Sequence, residues 1–210
     1  MSSPVSTSAN FDLFQKPASG AGKEELLLHA GINARIYDWS RDGKFIVYSQ
    51  YSEQTKDDLW LLPLEGDRKP VPYLQTPFSE AEDRFSPDGR WMAYTSNESG
   101  QPQVYVQAIP PSGAKWQVST AGGNRPEWRR DGKELFYVAT DQKLMAAPVK
   151  AGSGFEAGSP QPLFEPVPVG YQPSADGQRF LVSVRAAGEA STPAPITVVV
   201  NWLKTVTSDK

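Results

Sequence analysis

Four aspartates stand in the same local setting, each followed by glycine and preceded three residues earlier by a bulky side chain. They are Trp39-Ser-Arg-Asp42-Gly43, Phe85-Ser-Pro-Asp88-Gly89, Trp128-Arg-Arg-Asp131-Gly132 and Pro173-Ser-Ala-Asp176-Gly177. A row of carboxylates invites a reading as cation ligands, but calcium needs several oxygens converging on one ion. Successive copies lie 46, 43 and 45 residues apart, and each aspartate keeps its place before glycine. That placement points to turn chemistry, since Asp hydrogen-bonds its own backbone while Gly accepts positive φ. No metal site is expected.

The remaining candidates for catalysis are thin. A serine hydrolase needs a nucleophile, a histidine base and an orienting carboxylate, yet His29 is the only histidine and no serine has glycine both two residues before and two residues after it, as a nucleophile elbow requires. Gly20-Ala-Gly-Lys23 glances at a phosphate loop, but Pro17 stands where the first glycine belongs and Glu24 where a magnesium-binding hydroxyl belongs. It reads as a linker turn. The absence of cysteine removes thiolate nucleophiles, thiolate metal sites and disulfides together. No cofactor is expected.

Six tryptophans invite a sugar-stacking or aromatic-cage reading. Trp39, Trp91 and Trp128 occupy repeat-equivalent or strand-core positions, where packing is the plainer account. Trp116 and Trp202 lie in outer or terminal strands, free to face solvent or a partner.

The 210 residues carry a net charge of −3, which supplies no basic field for nucleic acid. The opening MSSPVSTSAN lacks the basic and apolar regions of a secretory signal. The apolar run Ile196-Thr-Val-Val-Val200 falls far short of the roughly 20 residues that span a bilayer. Membrane insertion by this chain is not expected. A role outside the cytoplasm would require a longer parent to carry it there.

The elements around the turns repeat as well. After each Asp-Gly comes a short run rich in β-branched and aromatic residues: Phe45-Ile-Val-Tyr48, Trp91-Met-Ala-Tyr94, Leu135-Phe-Tyr137 and Phe180-Leu-Val182. Such runs suit strands. A third run follows in each repeat, Leu59–Leu64, Val104–Ile109, Leu144–Val149 and Ile196–Asn201. A weaker fourth follows, such as Val71–Gln75 or Lys115–Ser119, and a proline in it, as at Pro72, suits an outer edge. Each repeat is thus a four-stranded antiparallel meander.

The N-terminus fits the same ruler, because Asp12-Leu13-Phe14-Gln15-Lys16-Pro17 matches Asp58–Pro63 at an offset of 46. Lys23 to Ala30 has the composition of a helix, but the repeat register predicts a strand there. The sum is an all-β chain of 17 strands, a β-propeller of about four blades. We divide it into a disordered tail 1–9, a half-blade 10–30, blades 31–76, 77–121 and 122–167, an incomplete blade 168–203 and a C-terminal tail 204–210. Propeller and half-blade together span 10–203. A start in mid-blade predicts the C-terminal part of a larger propeller, and an open ring would self-associate.

The strings Trp39–Tyr48, Phe85–Tyr94 and Trp128–Tyr137 resemble the WD-repeat-like blades of Tol-type periplasmic propellers. With Asp58–Pro70, Tyr94–Gly100, Lys115–Thr120 and Ile196–Trp202, the chain resembles the C-terminal propeller of bacterial serine/threonine protein kinases, notably those of acidobacteria, over residues 10–203. That resemblance implies a sensor or interaction module on the far side of a membrane-anchored parent, in the periplasm or outside the cell. The chain departs from the kinases in having no Gly-rich loop with its lysine, no His-Arg-Asp and no Asp-Phe-Gly, so it is expected not to be an enzyme. Peptidase propellers and free Tol-type adaptors carry similar blades and are the alternative.

Propellers present ligands on loops at one end of the central channel. The segments leading into the first strands carry Arg35, Glu82, Arg84, Arg125 and Glu127, a mixed-charge set placed to ring that mouth. The expected ligand is a protein or a small molecule.

Overall fold

Each Asp-Gly pair closes a hairpin between the first and second strands of a sheet. In the computed structural model, which describes residues 10–32, 34–165 and 170–183, Gly43, Gly89, Gly132 and Gly177 all take φ near +70°. Asp42 Oδ1 accepts the Ser40 hydroxyl at 2.7 Å and the Lys44 amide at 3.1 Å. Asp88 repeats this with Ser86 and Arg90, and Asp176 with Ser174 and Gln178. At the third turn Arg129 stands where the serine would be, and its guanidinium bridges both oxygens of Asp131. The four turns are structural punctuation.

From these hairpins grow the blades. The first is β3 (Arg35–Trp39), β4 (Phe45–Ser52), β5 (Lys56–Pro63) and β6 (Val71–Leu74), hydrogen-bonded in that order and antiparallel throughout. The second is β7 (Glu80–Phe85), β8 (Trp91–Ser96), β9 (Gln103–Ala108) and β10 (Lys115–Gln117). The third is β11 (Asn124–Trp128), β12 (Glu134–Val138) and β13 (Leu144–Ala151), with β14 (Phe155–Ala157) and β15 (Gln161–Phe164) both paired to β13. Pro72 and Pro162 sit on the outer strands β6 and β15, where a missing N–H breaks no ladder.

Half-blades flank these three. β1 (Asn10–Gln15) pairs with β2 (Glu25–Ile32), and β16 (Gly170–Pro173) with β17 (Phe180–Ser183). The repeat register prevails over helix propensity at Lys23 to Ala30: β2 is a strand, because only a strand edge can pair with β1. Seventeen strands are described, as expected, but one of them is the short β14. The anticipated strand Ile196–Asn201 lies outside the described residues, as do Trp202 and both tails.

The core lies between blades. Leu13, Leu27, Ile46, Tyr48 and Leu62 join the N-terminal half-blade to the first blade. Val47, Leu59, Tyr73, Met92, Tyr94 and Tyr105 join the first to the second. Trp91, Val104, Val106, Trp128, Leu135 and Phe155 join the second to the third, and Phe136, Val138 and Leu144 carry Tyr171, Phe180 and Val182 of the last half-blade. A strand such as β8, buried at all six residues, therefore shows no inside and outside face.

Packing corrects two expectations about tryptophan. Trp39 holds the position of the buried Phe85 and Trp128, yet it is 50% exposed among the described residues. Trp116, expected to be free, is half-buried, with its ring 5.5 Å from Trp91 and 5.6 Å from Phe155.

Candidate functional site on the axial strands

The first strands of successive blades lie side by side, β3 against β7 and β7 against β11. Each is interrupted by a bulge. Pairing with the second strand shifts register between Ile36 and Asp38, between Ala81 and Arg84, and between Asn124 and Glu127. At two of the bulges the extra residue is Glu82 (φ 62°) or Arg125 (φ 54°), a left-handed conformation that non-glycine residues adopt at a cost. Strain of this kind persists where surrounding contacts over-determine it. Here the Arg125 amide donates to Glu82 Oε2 at 2.8 Å and the Thr95 hydroxyl donates to the same oxygen at 2.9 Å. The bulges re-aim the residues that follow.

Asp38, Arg84 and Glu127 are those residues, and Gln172 of β16, whose pairing with β17 has no register shift, is their equivalent at the same repeat spacing. All four line one cavity of about 340 Å³, rimmed by Trp39, Arg41 and Trp128. A second cavity of about 290 Å³ is bounded by Glu82, Arg125, Gly170 and Tyr171. Tyr37, Arg84 and Glu127 line both. The ion pair of Arg84 Nε with Glu127 Oε1, at 2.7 Å, is therefore the partition between them.

Arg84 is held firmly. One terminal nitrogen donates to the carbonyls of Tyr37 and Asp83, each at 2.9 Å. Burial works against its charge, but Glu127, Asp38 and Asp83 outweigh burial and raise its pKa. For Glu127 burial is the larger influence, and its pKa rises despite Arg84. Asp38 also titrates above the ordinary range because of burial, although it accepts the Phe85 amide at 2.9 Å and the Trp39 amide at 2.8 Å. Tyr171, pushed far up by burial, donates its hydroxyl to the Arg125 carbonyl at 2.8 Å.

Of the five residues singled out in the sequence, the structure brings together Glu82, Arg84, Arg125 and Glu127. Arg35 is exposed at the start of β3, opposite Ser49, and lines neither cavity. The sequence reading missed Asp38 and Gln172, which the repeat offsets from Arg84 and Glu127 point to directly. It also missed Asp83. This carboxyl is wholly buried, neither oxygen has a partner among the described residues, and burial drives its pKa far up. Its repeat equivalents are Tyr37, Pro126 and Tyr171, so an acid among rings was the available signal.

The arrangement can hold polar and charged groups on rigid strands. It offers no nucleophile beside a base: His29 is on the remote half-blade, exposed and 3.0 Å from Asp12. Among the described residues no three His, Cys, Asp or Glu side chains are grouped to hold a metal, and no helix is long and apolar enough to cross a membrane.

No family model matches the chain. Over 84 residues, 38% of this chain and 8% of the relative, it is 36% identical to Tricorn protease homolog 1 of Streptomyces coelicolor. Among solved structures, TolB from Acinetobacter baumannii superimposes with a TM-score of 0.59 at 20% identity, covering 82% of this chain and 42% of that one. The tricorn protease superimposes with a TM-score of 0.51 at 16% identity, covering 72% and 19%. The chain thus spans less than half of each of these proteins. What they share with it is the architecture already described, an all-β propeller of the Tol type.

Proposed function

We propose that this chain is a non-catalytic recognition module whose axial cavity binds a segment of a protein partner or a small polar ligand. One observation carries the reading: four repeat-equivalent side chains, Asp38, Arg84, Glu127 and Gln172, converge on one cavity, and strained bulges stand just before two of them, Arg84 and Glu127. Preorganised polar groups on a rigid scaffold are what specific binding needs. The finer reading places the chain at the C-terminal end of a bacterial serine/threonine kinase, as a sensor facing the periplasm or the outside, because the repeats resemble that family. The tricorn and TolB likenesses favour the second reading, a peptidase propeller or a free Tol-type adaptor.

Peptide-display selection against the purified chain tests the module. Selected peptides should lose about tenfold in affinity to Trp39→Ala or Arg41→Ala, both exposed rim residues whose loss leaves the fold intact. Peptides that bind both variants at full strength would place recognition elsewhere. Turnover of peptide, ester or nucleotide substrates by the chain would refute a non-catalytic role. The reading frame of the parent separates the attachments: a kinase domain and membrane helix upstream support the sensor, and a hydrolase domain supports the peptidase.

A further inference from the structure

On the first blade, away from the axial cavity, the hairpin joining β4 to β5 and the end of β6 enclose a concavity of about 370 Å³. Its lining includes Tyr51, Trp60, Gln50, Gln54, Gln75 and Asp58. Among the described residues, the side-chain amides of the three glutamines, the Tyr51 hydroxyl and the Trp60 indole N–H make no hydrogen bond. Asp58 is 3% exposed; one carboxylate oxygen accepts the Thr55 hydroxyl at 2.6 Å and the other has no partner among the described residues. A buried acceptor left unpaired is costly, and a ligand donor would relieve it.

The repeats supply a control for this reading. In the second blade Gln103 replaces Asp58, and its carbonyl is satisfied by the Ser119 hydroxyl and the Gly122 amide. In the third, the same location is again a concavity, but Lys143 stands for Asp58 and Met145 for Trp60. Lys143 is spent on Asp141 at 2.8 Å. Among the described residues of the three blades, the first alone combines at this location unspent hydrogen-bonding groups with two aromatic rings, Tyr51 and Trp60, the latter also packed in part on the core between the half-blade and the first blade.

We propose that this concavity is a binding site for a neutral saccharide. Amides and a carboxylate match the paired donor and acceptor character of sugar hydroxyls, and flat rings match the apolar C–H face of a pyranose. No Lys or Arg lines it, which disfavours phosphates and carboxylates. The volume falls in the range of small-ligand pockets, about 300–1,000 Å³.

Titration of the chain with cellotriose, chitotriose and maltotriose, followed by calorimetry and by the indole N–H resonances, tests the site. At least one sugar should bind with a Kd in the millimolar range or tighter and shift the Trp60 indole signal. Tyr51→Ala and Gln54→Ala, both at exposed positions that the fold does not need, should each weaken binding by about three- to tenfold. Trp39→Ala in the axial cavity and Asp141→Ala in the third blade should leave it unchanged. Silence towards all three sugars would overturn the proposal. So would sugar binding indifferent to Tyr51→Ala, or a site that takes tetramethylammonium and no sugar.

Discussion

Two populations of carboxylates occupy this chain, and the repeat places both. Asp42, Asp88, Asp131 and Asp176 sit in turns at the surface, all with lowered pKa values. A serine hydroxyl is the main cause at Asp42 and Asp176; Arg129 takes Asp131 down to about 2. At Asp88 burial opposes the bonds from Ser86 and Arg90 and loses. Glu80, Asp83 and Glu127, on or beside the axial strands, are all raised, with burial the first cause. Local hydrogen bonds within five residues make the first set cheap and uniform. The second set depends on what neighbouring blades provide, and differs from blade to blade.

The sharpest test of that contrast removes one member of the interior set. Glu127→Ala strands the Arg84 guanidinium, whose side chain is 29% exposed, so the cost lies below that of a fully buried pair, at about 2–3 kcal/mol of unfolding free energy. Urea titration measures it. Asp131→Ala, in the turn set, should cost no more than about 1 kcal/mol. Equal costs would erase the distinction.

A second test uses pH. Glu80 is 1% exposed, accepts the Thr76 hydroxyl at 2.5 Å, and is raised from 4.5 to about 7, chiefly by burial. A carboxyl with a raised folded pKa binds its proton more tightly when folded. Its contribution is complete below 4.5 and is lost as pH climbs through about 7, a change of about 3 kcal/mol. Glu80→Gln keeps an acceptor for Thr76 and should flatten this slope, making the variant the more stable form at pH 8. An unchanged slope would assign the dependence to another group.

Asp83 should behave in the same sense. Asp83→Leu exchanges an unpartnered buried carboxyl for a side chain of similar shape, and at pH 8 should add about 1–2 kcal/mol to stability. If it also weakens binding in the axial cavity, the orphan acid is retained for recognition. Destabilisation by Asp83→Leu would show that the carboxyl has a partner the contact geometry misses.

What the sequence disclosed follows the same division. The Asp-Gly turns, the strand following each and even the N-terminal half-blade were legible, because each rests on contacts local to one repeat. The axial residues were only half legible. Arg84 and Glu127 are visible as charges and the repeat offset marks Asp38 as their equivalent, but that this position and not that of Arg35 faces the cavity depends on a one-residue bulge that no propensity marks. Burial was least legible: Trp39 and Trp128 share a motif position, yet Trp128 is buried with Phe155 of its own blade's β14 6.3 Å from its ring, while Trp39 is half exposed.

The smallest expected effect probes the turn set alone. Gly89 has φ +71° and nothing within 4 Å of where a Cβ would stand, so Gly89→Ala should cost only the left-handed backbone penalty, about 1 kcal/mol. Gly89→Asn should cost less, since asparagine tolerates that region. At Gly177, also left-handed, an added Cβ would lie 2.7 Å from Arg129 Cδ, and the penalty should exceed that at Gly89 because the Arg129 side chain of the neighbouring blade must shift. Equal losses at the two turns, read from denaturation midpoints, would mean that the turns are insulated from the blades beside them. A larger loss at Gly177 would make it the one turn of these two where local geometry and blade packing are coupled.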